Sequence, residues 1–249
     1  MGTHHPPTPN HAPHTQQQDS PCWALFMGFE HERIHIETSS VLMRELPLDL
    51  LRRPRAWPAN HPGVCSQAPA PDNPLLDVPK GTVVLGKAPD WPSFGWDNEY
   101  GCRAFTVPSF RASQHLISNG QFLEFVKDGG YREERWWSAD GWRWRTFRNA
   151  KWPTFWVLDG PAGLHRYRLR LLFEEVPLPP ALPAVVNHHE ACAFCAWLSE
   201  RMGLRGDAAL RLLTEPEHHR LRSVRCLVMH GACIIIISSP PSLIVSSGF

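Results

Sequence analysis

The longest stretch of helical patterning runs from Ser20 to Leu46, with Ser20 placed as an N-cap, Pro21 at the first helical position and Pro47 as the stop. A continuous helix of that length spans about 40 Å. It needs partners to cover Trp23, Phe26, Ile34 and Val41, as a bundle helix does. Periodicity then disappears in a Pro-rich stretch, residues 47–77, which reads as a linker or a wrapping segment. A second body follows from Val78 to about Arg225. It carries short strands such as Thr82–Leu85 and two predicted helices, Ser113–Asp128 closed by Gly129-Gly130 and Asn187–Met202 closed by Gly203. Asn187 and Glu190 suit a capping box at the start of the second of these. The pattern predicts an α+β chain without internal repeats.

Composition sharpens that picture. The 249 residues hold 25 basic and 24 acidic side chains, so the formal charge is +1 and no strong field favours nucleic acid or a membrane surface. A hydrophobic content of 43% supports a folded core. Proline, at 25 residues, is about twice its ordinary usage and favours a loop-rich body. The seven scattered cysteines do not form a disulfide framework, and Cys192 and Cys195 make a single C-x-x-C placed in mid-helix, which reads as structural. Trp136, Trp137, Trp142 and Trp144 read as an aromatic core layer, and Trp96-Asp97-Asn98-Glu99 as a turn.

The ends differ from the middle. Residues 1–19 are polar, rich in Pro, His and Gln, and expected to be disordered. They contain no apolar targeting region. Residues 226–249 form an atypical apolar tail whose four isoleucines, at 234–237, read as an exposed aggregation-prone stretch. Its runs fall short of the ~20 apolar residues that span a bilayer. A reduced, cytoplasmic chain that engages neither membrane nor nucleic acid is expected.

The sharpest chemical signal is His31-Glu32-Arg33-Ile34-His35-Ile36-Glu37. Histidines at i and i+4 project from one helix face about one turn apart, so both imidazoles can reach one metal. As H-E-x-x-H the run matches a zinc-protease signature with Glu32 as base, but the downstream Gly and His of the extended form are replaced by Thr38 and Val41. As H-x3-H-x-E it invites an iron triad. Glu37, however, lies about 200° round the helix from His35 and suits a hydrogen bond to a ligand or a neighbouring helix better. A metal-free pair of core histidines is the remaining reading.

The run FMGFEHERIHIETSSVLMRELP resembles the sulfoxide synthases of thiol-histidine biosynthesis, most of all the ovothiol-pathway 5-histidylcysteine sulfoxide synthases, with the ergothioneine-pathway enzymes as near relatives. VPKGTVVLGKAPDWPSFGWDNEYG, SNGQFLEFVKDGGY, WWSADGWRWR, VVNHHEACAFCAWLSERMG and RLLTEPEHH continue the resemblance in order, over about residues 21–222. It implies a DinB-like helical fragment at 20–56, a linker at 57–77 and an incomplete formylglycine-generating-enzyme-like domain at 78–225. It further implies that His31 and His35 are two of three histidine ligands to a non-haem iron(II), Fe(2+), with histidine, cysteine and O2 as substrates. The product would be a sulfoxide in which cysteine sulfur is bonded to the imidazole ring.

Three departures bear on activity. The family's first histidine ligand sits on an earlier helix, and the 30 residues before His31 hold no counterpart to that helix. The match fades near Arg222, ahead of the family's catalytic tyrosine, and RLLTEPEHH carries Leu213, Pro216 and His218 where the family has proline, alanine and tryptophan. A truncated or misassembled coding sequence, or an unusual splice form, is expected from both ends. The alternatives to an ovothiol-type synthase are therefore an ergothioneine-type synthase, an inactive fragment serving as an interaction module, and an H-E-x-x-H protease.

Overall fold

The computed structural model describes residues 20, 22–57, 60, 62–91, 93–225 and 236–238. The expected tail 1–19, with His4, His5, His11 and His14, lies outside the described residues, as do Cys226 and Cys233. The chain is a mixed α and β structure, and what it builds is a folded body with one long helix against its side.

That helix, α1, runs Trp23–Arg44, and its C-cap is Glu45, two residues before Pro47. None of its 22 residues is buried. The bundle expected from the sequence is not present among the described residues: α1 is a single helix, touching the body at its two ends. Near its start the Trp23 ring meets Phe94 at 5.4 Å. At its end Arg44 Nε donates to the Arg170 carbonyl at 2.7 Å, and its guanidinium lies 3.8 Å from the centre of the Phe155 ring. Arg170 returns a bond from Nη2 to the Leu46 carbonyl at 2.5 Å. Burial, and secondarily the charge of Arg170, push the Arg44 guanidinium down to about 10.

The Pro-rich segment wraps the body. Arg53 reaches Glu174 at 2.7 Å, and Trp57 packs edge-on against Phe173 at 5.7 Å. Within the segment expected as linker, the chain enters β1, Leu75–Val78. Strands β2, Gly81–Leu85, and β3, Arg103–Val107, form a two-stranded ribbon, and β4, Phe110–Ser113, pairs antiparallel with β1. Helix α2, Asn119–Lys127, begins later than the sequence pattern suggested. Residues 110–113 are strand, and Ser118 is the true N-cap, accepting from the Gln121 amide at 3.2 Å while Gln121 Oε1 accepts from the Ser118 amide. The Ser-x-x-Gln box outranks the weaker apolar pattern before it.

Helix α3, Ala139–Phe147, lies inside the Trp-rich run read as an aromatic layer; Ser138 caps it. The layer is real: Trp136 and Trp137 are buried, and Trp142 and Trp144 pack against the same core. A three-stranded antiparallel sheet follows, in the order β5 (Trp156–Leu158), β6 (Tyr167–Arg170), β7 (Glu175–Pro177). Helix α4, His188–Arg201, matches expectation, with Asn187 and Glu190 forming the reciprocal cap. The chain then passes through β8, Arg211–Leu212, and α5, Glu215–Arg225. Finally β9, Ile236–Ser238, hydrogen-bonds between β4 and β8. Part of the expected exposed isoleucine run thus has its backbone paired on both sides, which satisfies the strand edges that an open apolar strand would present.

The main core is aromatic. Phe122 and Phe125 of α2 meet Phe194 and Trp197 of α4, with the Phe122 and Phe194 rings stacked at 5.2 Å and Phe125 edge-on to Trp197 at 5.6 Å. Asp128 ties the helices together by accepting from Trp197 Nε1 and Arg201, both at 3.1 Å. Gly129 (φ +85°) makes the left-handed exit from α2, and a Cβ on Gly130 would sit 2.4 Å from the Phe125 ring. A smaller core of Val78, Val83, Val107, Phe110, Ala112 and Leu221 joins the first strands to α5.

Candidate metal centre

On α1 the i, i+4 spacing does what helical geometry requires. The Nε2 atoms of His31 and His35 lie 3.1 Å apart, with ring centroids at 4.4 Å and planes nearly perpendicular. Two imidazoles bound to one metal at about 2.1 Å and about 90° place their nitrogens about 3.0 Å apart. The separation therefore matches adjacent positions of an octahedral ion, whereas a tetrahedral one would need the nitrogens about 3.4 Å apart. Both side chains are exposed, so holding them costs no burial of charge.

The third donor is not supplied by the described residues, in which no group of three or more His, Cys, Asp or Glu side chains stands close enough to hold a metal. The fit is that of two ligands out of a set. Glu37, also exposed, lies around the helix from the pair, in agreement with the geometric argument against an iron triad built from this run alone. Glu32 is exposed beside His31. Local hydroxyls complete the helix from within: Thr38 donates to the Ile34 carbonyl at 2.9 Å and Ser40 to the Glu37 carbonyl at 2.6 Å.

The side of α1 that faces the body is a different one. Phe26, Phe29, Glu30 and Arg33 line a cavity of about 600 Å³ whose other wall is formed by Lys87, Phe94, Trp96 and Glu99. At about 100° per residue these positions lie far round the helix from His31 and His35. The imidazole pair and the cavity are thus not one site among the described residues. The Trp96–Glu99 string shapes a turn, as expected: Glu99 Oε2 accepts from the Trp96 amide at 2.8 Å and Asp97 Oδ1 from the Asn98 amide at 3.0 Å.

Two features of the body escaped sequence reasoning. Glu190 caps α4 and also accepts from the Tyr131 hydroxyl at 2.5 Å, both residues being buried. Burial raises the Glu190 carboxyl despite the hydrogen bonds from Tyr131 and the Asn187 backbone; burial, then the adjacent Glu190, raise the Tyr131 phenol well above its ordinary range. The reciprocal cap was legible, but its phenol partner comes from 59 residues away. Around α5, Glu217 accepts from both Arg211 nitrogens (2.9 and 2.7 Å), from the Thr214 amide and from the Thr214 hydroxyl (both 2.8 Å). Burial opposes ionisation of Glu217, and these bonds outweigh it, so its carboxyl is held below the usual value. The C-x-x-C pair sits where the thiolate is disfavoured. Burial, then Cys192, push the Cys195 thiol up to about 12, and burial raises Cys192 as well.

Comparison with known proteins places the body. Residues 62–220 match the sulfatase-modifying factor enzyme 1-like domain. The chain belongs to that family. It is also 33% identical over 190 residues to a hercynine oxygenase of Mycolicibacterium smegmatis, covering 76% of this chain and 41% of that protein. The hercynine oxygenase of Mycolicibacterium thermoresistibile is 32% identical over 191 residues, covering 74% and 39%. That of Mycobacterium tuberculosis is 36% identical over 108 residues, covering 43% and 24%. The chain thus spans about two-fifths of the length of the first two relatives. All three names point to hercynine, so the relatives favour the ergothioneine-type alternative over the ovothiol-type reading. No helix among the described residues is long and apolar enough to cross a membrane.

Proposed function

We propose that this chain carries part of an iron-dependent oxygenase of the sulfoxide-synthase type, directed to hercynine in the ergothioneine pathway. The observation that carries the reading is the His31–His35 pair, whose Nε2 atoms stand 3.1 Å apart on an exposed helix face of a chain related to hercynine oxygenases. Bound there, iron(II) would supply O2 activation and oxidation of a thiol substrate such as cysteine, which ends bonded to the imidazole ring as a sulfoxide. The chain's own contribution is positional. His31 and His35 would hold the iron from one face of the helix, while Arg44 and Trp23 pin that helix to the body. α1 is then a helix of a DinB-like bundle, which explains why its apolar residues are uncovered, and the remaining donor comes from outside the described residues.

The two-donor count favours a second reading, an inactive member of the family that serves as a binding module. One experiment separates them. The purified chain is reconstituted anaerobically with Fe(II), given hercynine and cysteine, exposed to air and examined by mass spectrometry, with histidine in place of hercynine in a parallel reaction. A hercynine-derived sulfoxide that vanishes in His31→Ala and His35→Ala supports the oxygenase. A product from histidine alone moves the chain to the ovothiol type, and no product with no retained iron supports the inactive module.

A further inference from the structure

A second cavity lies wholly within the body, on none of the elements that carry the imidazole pair. It has a volume of about 390 Å³ and is closed by the turn after α2, the end of α3 with the loop that follows, and the loop entering β6. That size suits a small ligand. Its floor is aromatic. Tyr131 and Tyr167 are buried, and Trp152 packs against Tyr167 with ring centroids 5.5 Å apart.

Its walls are cationic and, among the described residues, lack a counter-charge. Arg132, Arg145 and Lys151 line the cavity, and no carboxylate does. The carboxylates on neighbouring elements are engaged elsewhere: Glu124 with Lys127, Asp128 with Arg201, Asp140 with Arg143, Asp159 with Arg166, and Glu190 with the Tyr131 hydroxyl. Arg132 lies across the turn, where a Cβ on Gly129 would meet its Nε and Nη2 at 3.4 Å. Arg145 stacks its guanidinium 5.0 Å from the Trp142 ring, and its Nε is buried without a hydrogen-bond partner. A buried donor left unpaired costs stability unless something else accepts from it. Three cations without a carboxylate partner among the described residues, beside an aromatic floor, reproduce the chemistry that recognises a flat ring bearing an anionic group.

We propose that this cavity binds a small planar aromatic or heteroaromatic carboxylate, its ring over Trp152 and Tyr167 and its carboxylate toward Arg132, Arg145 and Lys151. The excess positive charge repels ligands carrying a fixed cation. The proposal does not rest on the oxygenase reading, and it stands or falls without a metal.

The test uses the full chain and two probes of one shape, naphthalene-2-carboxylate and its neutral carboxamide, titrated calorimetrically and by tryptophan fluorescence. The carboxylate is expected to bind about tenfold more tightly or better, in keeping with charge-assisted pairing to more than one donor. Lys151→Gln and Arg132→Gln, both at exposed positions that leave the fold intact, should each cut that preference several-fold, whereas Arg143→Gln on the outer side of α3 should leave it unchanged. Trp152→Phe should remove most of the fluorescence response while calorimetric binding of the carboxylate persists. Equal affinity for the two probes, no binding of either, or a preference that survives the combined Arg132→Gln and Lys151→Gln change would each overturn the proposal.

Discussion

Helices α1 and α4 are written in similar amino acids and end in opposite situations. α4 buries Glu190, Ala191, Ala193, Phe194, Cys195, Trp197 and Ser199 within 14 residues, and a reciprocal cap fixes its start. α1 is longer by eight residues, buries none, and has no side-chain cap. The difference teaches that apolar content does not by itself stabilise a helix; what matters is whether the same chain brings a partner to the apolar face. α4 has α2, the Trp layer and Tyr131. α1 is tied to the body by Trp23 near its start and Arg44 at its end and faces it across an open cavity, and it is the element that carries the candidate metal ligands. Stability and the proposed chemistry therefore reside in different parts of the molecule.

The sharpest way to break that comparison is to truncate the same kind of residue on each helix. Phe194 is 1% exposed and packs against Phe122, Phe125 and Trp197. Phe194→Ala is expected to lower stability by about 3–5 kcal/mol, the cost of lost burial plus an unfilled cavity, measured by urea unfolding. A loss below about 1 kcal/mol would mean that the aromatic core is loosely packed. Glu190→Ala comes next. It removes the cap and leaves the buried Tyr131 hydroxyl without its acceptor, for an expected loss of about 2–3 kcal/mol.

Much of this body was legible because its signals are local. The Asn187/Glu190 cap, the stop at Gly203 and the strand around Thr82–Leu85 each depend on residues within a few positions, and each appears where expected. The start of α2 was misread because Phe110–Ser113 contributes to a strand whose partner, Leu75–Val78, lies in a stretch whose prolines suggest linker. The Tyr131–Glu190 bond and the cations of the 390 Å³ cavity depend on tertiary approach alone, and no spacing in the sequence announces them. At the candidate metal centre the opposite holds. The His31–His35 convergence follows from helix pitch, so it was fully legible, whereas the remaining donor is a question of partners that helix pitch cannot answer.

A smaller effect probes α5 through pH. The Glu217 carboxyl is held below its unfolded value, so its contribution to stability is present above that value, near pH 4.5, and is lost as pH falls through the lowered folded value. Glu217→Gln should cost about 1 kcal/mol at neutral pH, moderated because Arg211 is half exposed and solvent screens the pair. The gap between the two proteins should close in acid. A gap that stays constant with pH would show that packing rather than charge makes Glu217 useful.

The smallest expected effect is the most informative about α1. Leu42 is 69% exposed on the face that carries His31 and His35, and Ala is the better helix former. Leu42→Ala should therefore change stability by no more than about 0.5 kcal/mol in either direction. The same follows for His31→Ala in metal-free protein, since its imidazole is exposed and its contact with His35 is a single hydrogen-bonding distance in water. A loss above about 1 kcal/mol at Leu42 would mean that this face is covered in solution. It would then be a packed helix surface, the two imidazoles would sit at an interface, and the missing donor would be sought on whatever covers it.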